Sequence, residues 1–279
     1  MRFGISTHLY HDRRLERSHL EQISSYSFEA IELFATRSHF DYHDESAIAA
    51  LADWLSETGL TLNSVHAPTT ASGAGRNWGE SYSNAAADSV RRQTAVAETA
   101  AALQIARRIP FEVLVVHLGT PSARSQAGDN TRASAYRSAE EICRLAEPLG
   151  VRVAFEVIPN ELSSAASLVA MLEHDLESPH AGICLDFGHA HLMGDVADAV
   201  ETAAEHVIAT HVHDNRGKGD EHLAPYRGSI NWDMALMTMQ KIGYDAAYLM
   251  ELANTSTPAA VLEEGRHARH RFERTLALP

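Results

Sequence analysis

Val207-Ile208-Ala209-Thr210-His211-Val212-His213-Asp214-Asn215-Arg216-Gly217-Lys218-Gly219-Asp220-Glu221-His222 changes character halfway along. Val207–Val212 is short, mostly apolar and β-branched, as a buried strand should be. The twelve residues from His211 to His222 then carry three imidazoles and three carboxylates. Gly228 and a helix-like segment from Asn231 follow. The stretch therefore reads as strand, polar loop and helix.

That unit recurs along the chain about every 30 to 40 residues, the spacing of βαβ units with a parallel sheet. Eight strands are predicted: Phe3–Ser6, Ala30–Phe34, Thr61–His66, Val113–His117, Val151–Val157, Gly182–Asp186, Val207–Val212 and Ala247–Leu252. Helices are predicted over Ser46–Thr58, Asn84–Arg107, Arg132–Leu149, Ser163–His174, Val196–His206, Trp232–Ile242 and Pro258–Leu276. Ile48, Leu51, Trp54 and Leu55 form a helical stripe in the first of these. Gly150 is placed to end the third. The pattern predicts an α/β protein, a (β/α)8 TIM barrel forming a single domain over residues 1–279. An open doubly wound sheet is the alternative. It would need a Gly-rich turn after the first strand, where Ser6-Thr7-His8-Leu9 stands instead. Thr69–Gly79, rich in small residues, is expected as a loop or lid over the mouth. Arg266, Arg269, Arg271 and Arg274 are expected on a solvated helix face.

Composition narrows the classes. The 279 residues are 45% apolar, enough for a full core. A net charge of −14 repels a phosphate backbone and weighs against nucleic acid as a partner. Cys143 and Cys184 form no disulfide framework, which fits a cytoplasmic setting. No signal-peptide core or membrane-length apolar run is evident, so no membrane partner is expected. The sequence is compatible with a homo-oligomer without requiring one.

The polar residues at strand ends carry the chemistry. His66, His117, Glu156, Asp186 with His189, His211 and Glu251 close six successive strands. Glu32 and His8 stand at the second and first. A lone histidine there is usually a hydrogen-bonded core residue. A carboxylate in an apolar strand is different, because an unpaired buried charge costs several kcal/mol. No strand end supplies a Lys or Arg to Glu156 or Glu251. A divalent cation, Zn²⁺ or Mn²⁺, accounts for the whole pattern.

Asp186-x-x-His189, His211-x-x-Asp214, Asp220-x-His222, the strand-end glutamates and the His66-Ala67-Pro68 turn resemble the xylose isomerase-like barrels. That superfamily holds sugar and sugar-phosphate isomerases and epimerases, and also the endonuclease IV type of AP endonuclease (AP endonuclease family 2). The resemblance to the ketose 3-epimerase branch implies one cation held by Glu156, Asp186, His211 and Glu251, with His189 on substrate. The resemblance to the endonuclease branch implies three zinc ions on a larger set that adds His66, His117, His189, Asp220 and His222. His213 departs from that branch, where an Asn is expected.

The resemblance implies a divalent-metal-dependent isomerase or epimerase of a sugar, sugar phosphate or related polyhydroxylated small molecule. A metal-stabilised enediolate would form as a carbon-bound proton leaves, with Glu156 and Glu251 as the acid/base pair. His189, Arg216, His66 and His117 are the expected substrate contacts. Arg216, Lys218 and Arg227 share a loop, and for all three a surface charge is the slightly favoured reading. A multi-zinc phosphodiesterase of the endonuclease IV type is the alternative, and a non-catalytic binding barrel comes last.

Overall fold

The computed structural model of the chain describes residues 2–74 and 77–277. Eight strands close into one barrel: Arg2–Ser6, Ala30–Phe34, Thr61–His66, Val113–Val116, Arg152–Glu156, Ala181–Asp186, Val207–Val212 and Ala247–Met250. Each pairs in parallel with the next in the chain, and the eighth closes on the first. The open-sheet alternative is thereby excluded. The strands match the sequence reading to within a residue or two; His117, Val157, Glu251 and Leu252 fall just beyond their ends.

Strand alternation explains where the polar residues point. Val113, Val115, Ala154, Cys184 and Ala209 form a small apolar plug inside the barrel, separate from the larger core between strands and helices. Side chains two residues apart share a face. Val115, Ala154, Cys184 and Ala209 are followed at that spacing by His117, Glu156, Asp186 and His211. The plug therefore fills the lower barrel, and the ligand-type residues form the layer above it.

The helices are α1 (Arg17–Ser25), α2 (Glu45–Thr58), α3 (Ser89–Leu103), α4 (Arg132–Ala146), α5 (Ala165–His174), α6 (Phe187–Met193), α7 (Val196–Ala203), α8 (Trp232–Lys241) and α9 (Pro258–Leu276). Side-chain caps set several starts. Asp88 accepts from the Arg91 N–H, so α3 begins at Ser89 and not at Asn84. Asn84 instead donates to the His117 carbonyl. Gly150, at φ 67°, does end the α4 segment in the left-handed conformation. The sequence reading misses α1, which buries only Leu20 and Ile23, too few for a stripe. It also misses the seven-residue α6.

After the third strand the chain forms a short antiparallel ribbon, Gly73–Ala74 with Asn77–Trp78. Part of the expected Thr69–Gly79 lid, residues 75 and 76, lies outside the described residues. The arginines of α9 are more engaged than expected. Arg269 packs over Phe3 and Arg271 over Tyr226. Among the described residues, no helix is long and apolar enough to cross a membrane.

Candidate metal and active site

Four side chains meet at the C-terminal mouth of the barrel. Glu156, Asp186, His211 and Glu251 each place one donor atom within 4.8 Å of the others. Asp186 pairs with His211, and Glu156 pairs with Cys184, the residue two before Asp186 on the same face of its strand. All four are buried, none more than 3% exposed. His211 Nδ1 sits 3.3 Å from Glu156, 3.8 Å from Asp186 and 3.7 Å from Glu251. This is the inner set.

Three further groups overlap or adjoin it, one of them His66, His211 and Glu251. His66 and His117 direct Nε2 at Glu156 Oε2, at 3.1 and 3.0 Å. Those three residues also have donor atoms within 4.8 Å of one another. On the other side, His189, His213, Asp220 and His222 meet the same distance limit. Asp220 Oδ2 lies 3.1 Å from His222 Nε2 and 3.4 Å from His189 Nε2. Every metal-ligand residue expected from the sequence thus reaches one contiguous cluster, and Glu156 belongs to two of its groups.

The electrostatics require positive charge here. Glu156, Asp186, Asp220 and Glu251 bring four carboxylates to the cluster. Among the described residues, the only basic side chains within 4 Å of them are imidazoles. Without a cation, imidazolium protons would supply the balance. Burial works against charge on His189 and His211, yet the surrounding carboxylates hold both well above the ordinary value. His66 is likewise pushed up to about 8, its burial outweighed by Glu156, and His222 to about 9, chiefly by Asp220. Burial would raise Glu156, but the His117 and His211 rings hold it well below the usual carboxylate range.

The donor set fits a divalent cation on a second count. Glu156 Oε1, His211 Nδ1 and His189 Nδ1 are buried and have no protein hydrogen-bond partner. Such atoms are rare and costly in a folded chain. Here they converge. A cation held by the inner set would satisfy Glu156 Oε1 and His211 Nδ1 together, and its oxygen and imidazole donors are of the kind Zn²⁺ and Mn²⁺ accept.

Other residues hold the donors in place. Glu32, fully buried, accepts from His211 Nε2 at 3.1 Å and from Ser64 Oγ at 2.9 Å. That contact leaves the His211 Nδ1 lone pair facing the carboxylates. The sequence signal for Glu32 was present in Ala30-Ile31-Glu32-Leu33-Phe34, a buried carboxylate in an apolar strand. Asp186 caps α6 by accepting from the His189 N–H at 2.7 Å. Asp214 is no part of the cluster; it accepts from Trp232 Nε1 and the Ile230 N–H and folds the following loop. Arg216 also stays outside. Its side chain is 60% exposed and its guanidinium pairs with Glu221. Arg227 likewise pairs with Glu264 on the surface.

A family model described as a xylose isomerase-like TIM barrel matches residues 20–271. A protein of unassigned function from Methanocaldococcus jannaschii is 28% identical over 261 residues, 91% of this chain and 84% of its own. An inosose isomerase from Bacillus licheniformis is 25% identical over 137 residues, 44% of this chain and 48% of its own. The crystal structure of a D-tagatose 3-epimerase-like protein superposes with a TM-score of 0.79 at 26% identity, covering 99% of this chain and 100% of that one.

Proposed function

The chain belongs to the xylose isomerase-like TIM-barrel family, and from that premise we propose that it is a divalent-cation-dependent isomerase or epimerase of a small sugar or sugar phosphate. The observation that carries this reading is the inner set: three buried carboxylates and one imidazole, with no Lys or Arg beside them among the described residues. The likenesses to a D-tagatose 3-epimerase-like protein and to an inosose isomerase support the substrate class.

Glu156, Asp186, His211 and Glu251 hold the cation. Bound there, it supplies Lewis-acid stabilisation for negative charge on adjacent substrate oxygens. Glu156 and Glu251 come from the fifth strand and the end of the eighth, so they flank a substrate from two sides. One removes the carbon-bound proton and the other returns a proton to the opposite face or the neighbouring carbon. Glu156 Oε2 is already engaged by His66 and His117, which fixes the carboxylate and leaves Oε1 beside the His189 and His211 rings. His117 and His189 are the substrate hydroxyl contacts, with His66 behind them. Exchange of a substrate carbon-bound proton with D₂O tests this assignment. Glu156→Gln and Glu251→Gln should each abolish it, and unchanged exchange in both refutes the acid/base pair.

One observation favours a second reading, a multi-zinc phosphodiesterase. Glu156 is shared between the inner set and the His66–His117 group, and a third group adjoins. Three zinc ions per chain together with nicking of an abasic duplex would establish it. The net charge of −14 weighs against a nucleic-acid substrate.

A further inference from the structure

The outer group of His189, Asp220 and His222 meets the inner set directly, His189 Nδ1 lying 3.3 Å from Asp186 and His222 Nδ1 3.5 Å from Glu251, and a further ring, His213, touches both. His213 is fully buried. Its Nε2 lies 3.0 Å from the Asp186 carboxylate, while its Nδ1 has no protein partner. The ring is thus oriented to donate an Nε2 proton to Asp186. Its face lies on His222, with centroids 3.9 Å apart and planes 15° from parallel. Asp186 belongs to the inner set and His222 to the outer one.

His213 also has a nitrogen within 4.8 Å of the outer donors, which makes it a fourth ligand by distance alone. The stacking excludes that role. An imidazole lone pair lies in the plane of its ring. Two nearly parallel rings 3.9 Å apart cannot both aim in-plane lone pairs at one cation about 2 Å from each. The backbone makes room for this placement: a Cβ added at Gly188 would fall 2.0 Å from His213 Cε1.

We propose that His213 is a positioning residue that ties the two donor groups together, so that a cation in one raises the affinity of the other. This rests on the cation reading above and adds a coupling to it. A cation on the inner set fixes Asp186, Asp186 fixes the His213 ring, and the ring fixes His222 by its face. Such coupling is reciprocal, and its usual size is about 5- to 150-fold in affinity. A positioning partner of a metal ligand is usually worth about 10- to 100-fold in metal affinity.

Zn²⁺ titration of the full chain against a chromophoric chelator tests this. His213→Phe keeps a ring on His222 and removes the donation to Asp186. Inner-site affinity should fall about 10- to 100-fold. His222→Ala should weaken the inner site more when His213 is present than in the His213→Phe background, where only its direct contact with Glu251 is lost. Gly188→Ala, which displaces the ring without removing any donor, should weaken the inner site in the same way. Inner-site affinity within twofold of wild type in both His213→Phe and Gly188→Ala overturns the proposal and leaves the cation reading standing. A wild-type chain that takes up no Zn²⁺ overturns both.

Discussion

Glu32→Gln is the most informative single change, because it alters no atom that would touch a cation. Glu32 lies beneath His211 and accepts from its Nε2 at 3.1 Å. The cavity beside it, about 10 Å³, is at the lower limit for a single water, so bulk solvent does not screen the carboxylate. The charge therefore acts fully on the ring, raising its basicity and fixing its tautomer. Glutamine keeps the shape and one acceptor but loses the charge, and its amide can present N–H to N–H. Loss of such a partner usually costs about 10- to 100-fold in metal affinity, about 1.4 to 2.7 kcal/mol. Glu32→Leu should do more. It strands His211 Nε2–H and Ser64 Oγ–H, each at about 1–3 kcal/mol of folding stability. Competitive Mn²⁺ or Zn²⁺ titration reads the first effect, and urea unfolding of the metal-free chain reads the second. An affinity for Glu32→Gln within twofold of wild type would refute the reasoning.

Three other outcomes are expected. His211→Ala should lower metal content per chain, and a fully loaded variant would count against His211 as a ligand. Cation uptake at pH 7 should release protons, because His66 at about 8 and His222 at about 9 hold them in the metal-free chain. Affinity should then rise with pH up to about 9, and calorimetry in buffers of different ionisation enthalpy would show the release; no buffer dependence would contradict it. His39 is buried with its Nε2 unpartnered, and burial depresses it from the ordinary 6.5 to about 4. Its folded state disfavours the proton, so the stability it confers is complete above pH 6.5 and is lost as pH falls toward 4, about 3 kcal/mol in all. His39→Asn keeps a donor for the Arg13 carbonyl and should flatten the stability profile across that window. An unchanged slope would sink the assignment.

The barrel was legible because its strands are short, apolar and regularly spaced. The donors were legible because Glu156, Asp186 and Glu251 close apolar strands, where a charge must have a partner. What escaped the sequence depends on distances across the barrel. That Glu32 holds His211, 179 residues away, follows from closure and not from any local pattern. The placement of His213 against both Asp186 and His222 needs Gly188, whose role appears only once the loop is folded. Arg216 is drawn to the surface by an ion pair that no local pattern announces. Glu221, five residues on, is close enough to claim it. Helix α1 went unseen because most of its surface faces solvent.

An anomalous-scattering map from crystals grown with Mn²⁺ tests the central claim most directly. The account predicts a peak within about 2.3 Å of donor atoms from Glu156, Asp186, His211 and Glu251 together. A barrel mouth with no peak in excess Mn²⁺ and Zn²⁺, or a peak that leaves these four side chains untouched, would contradict it.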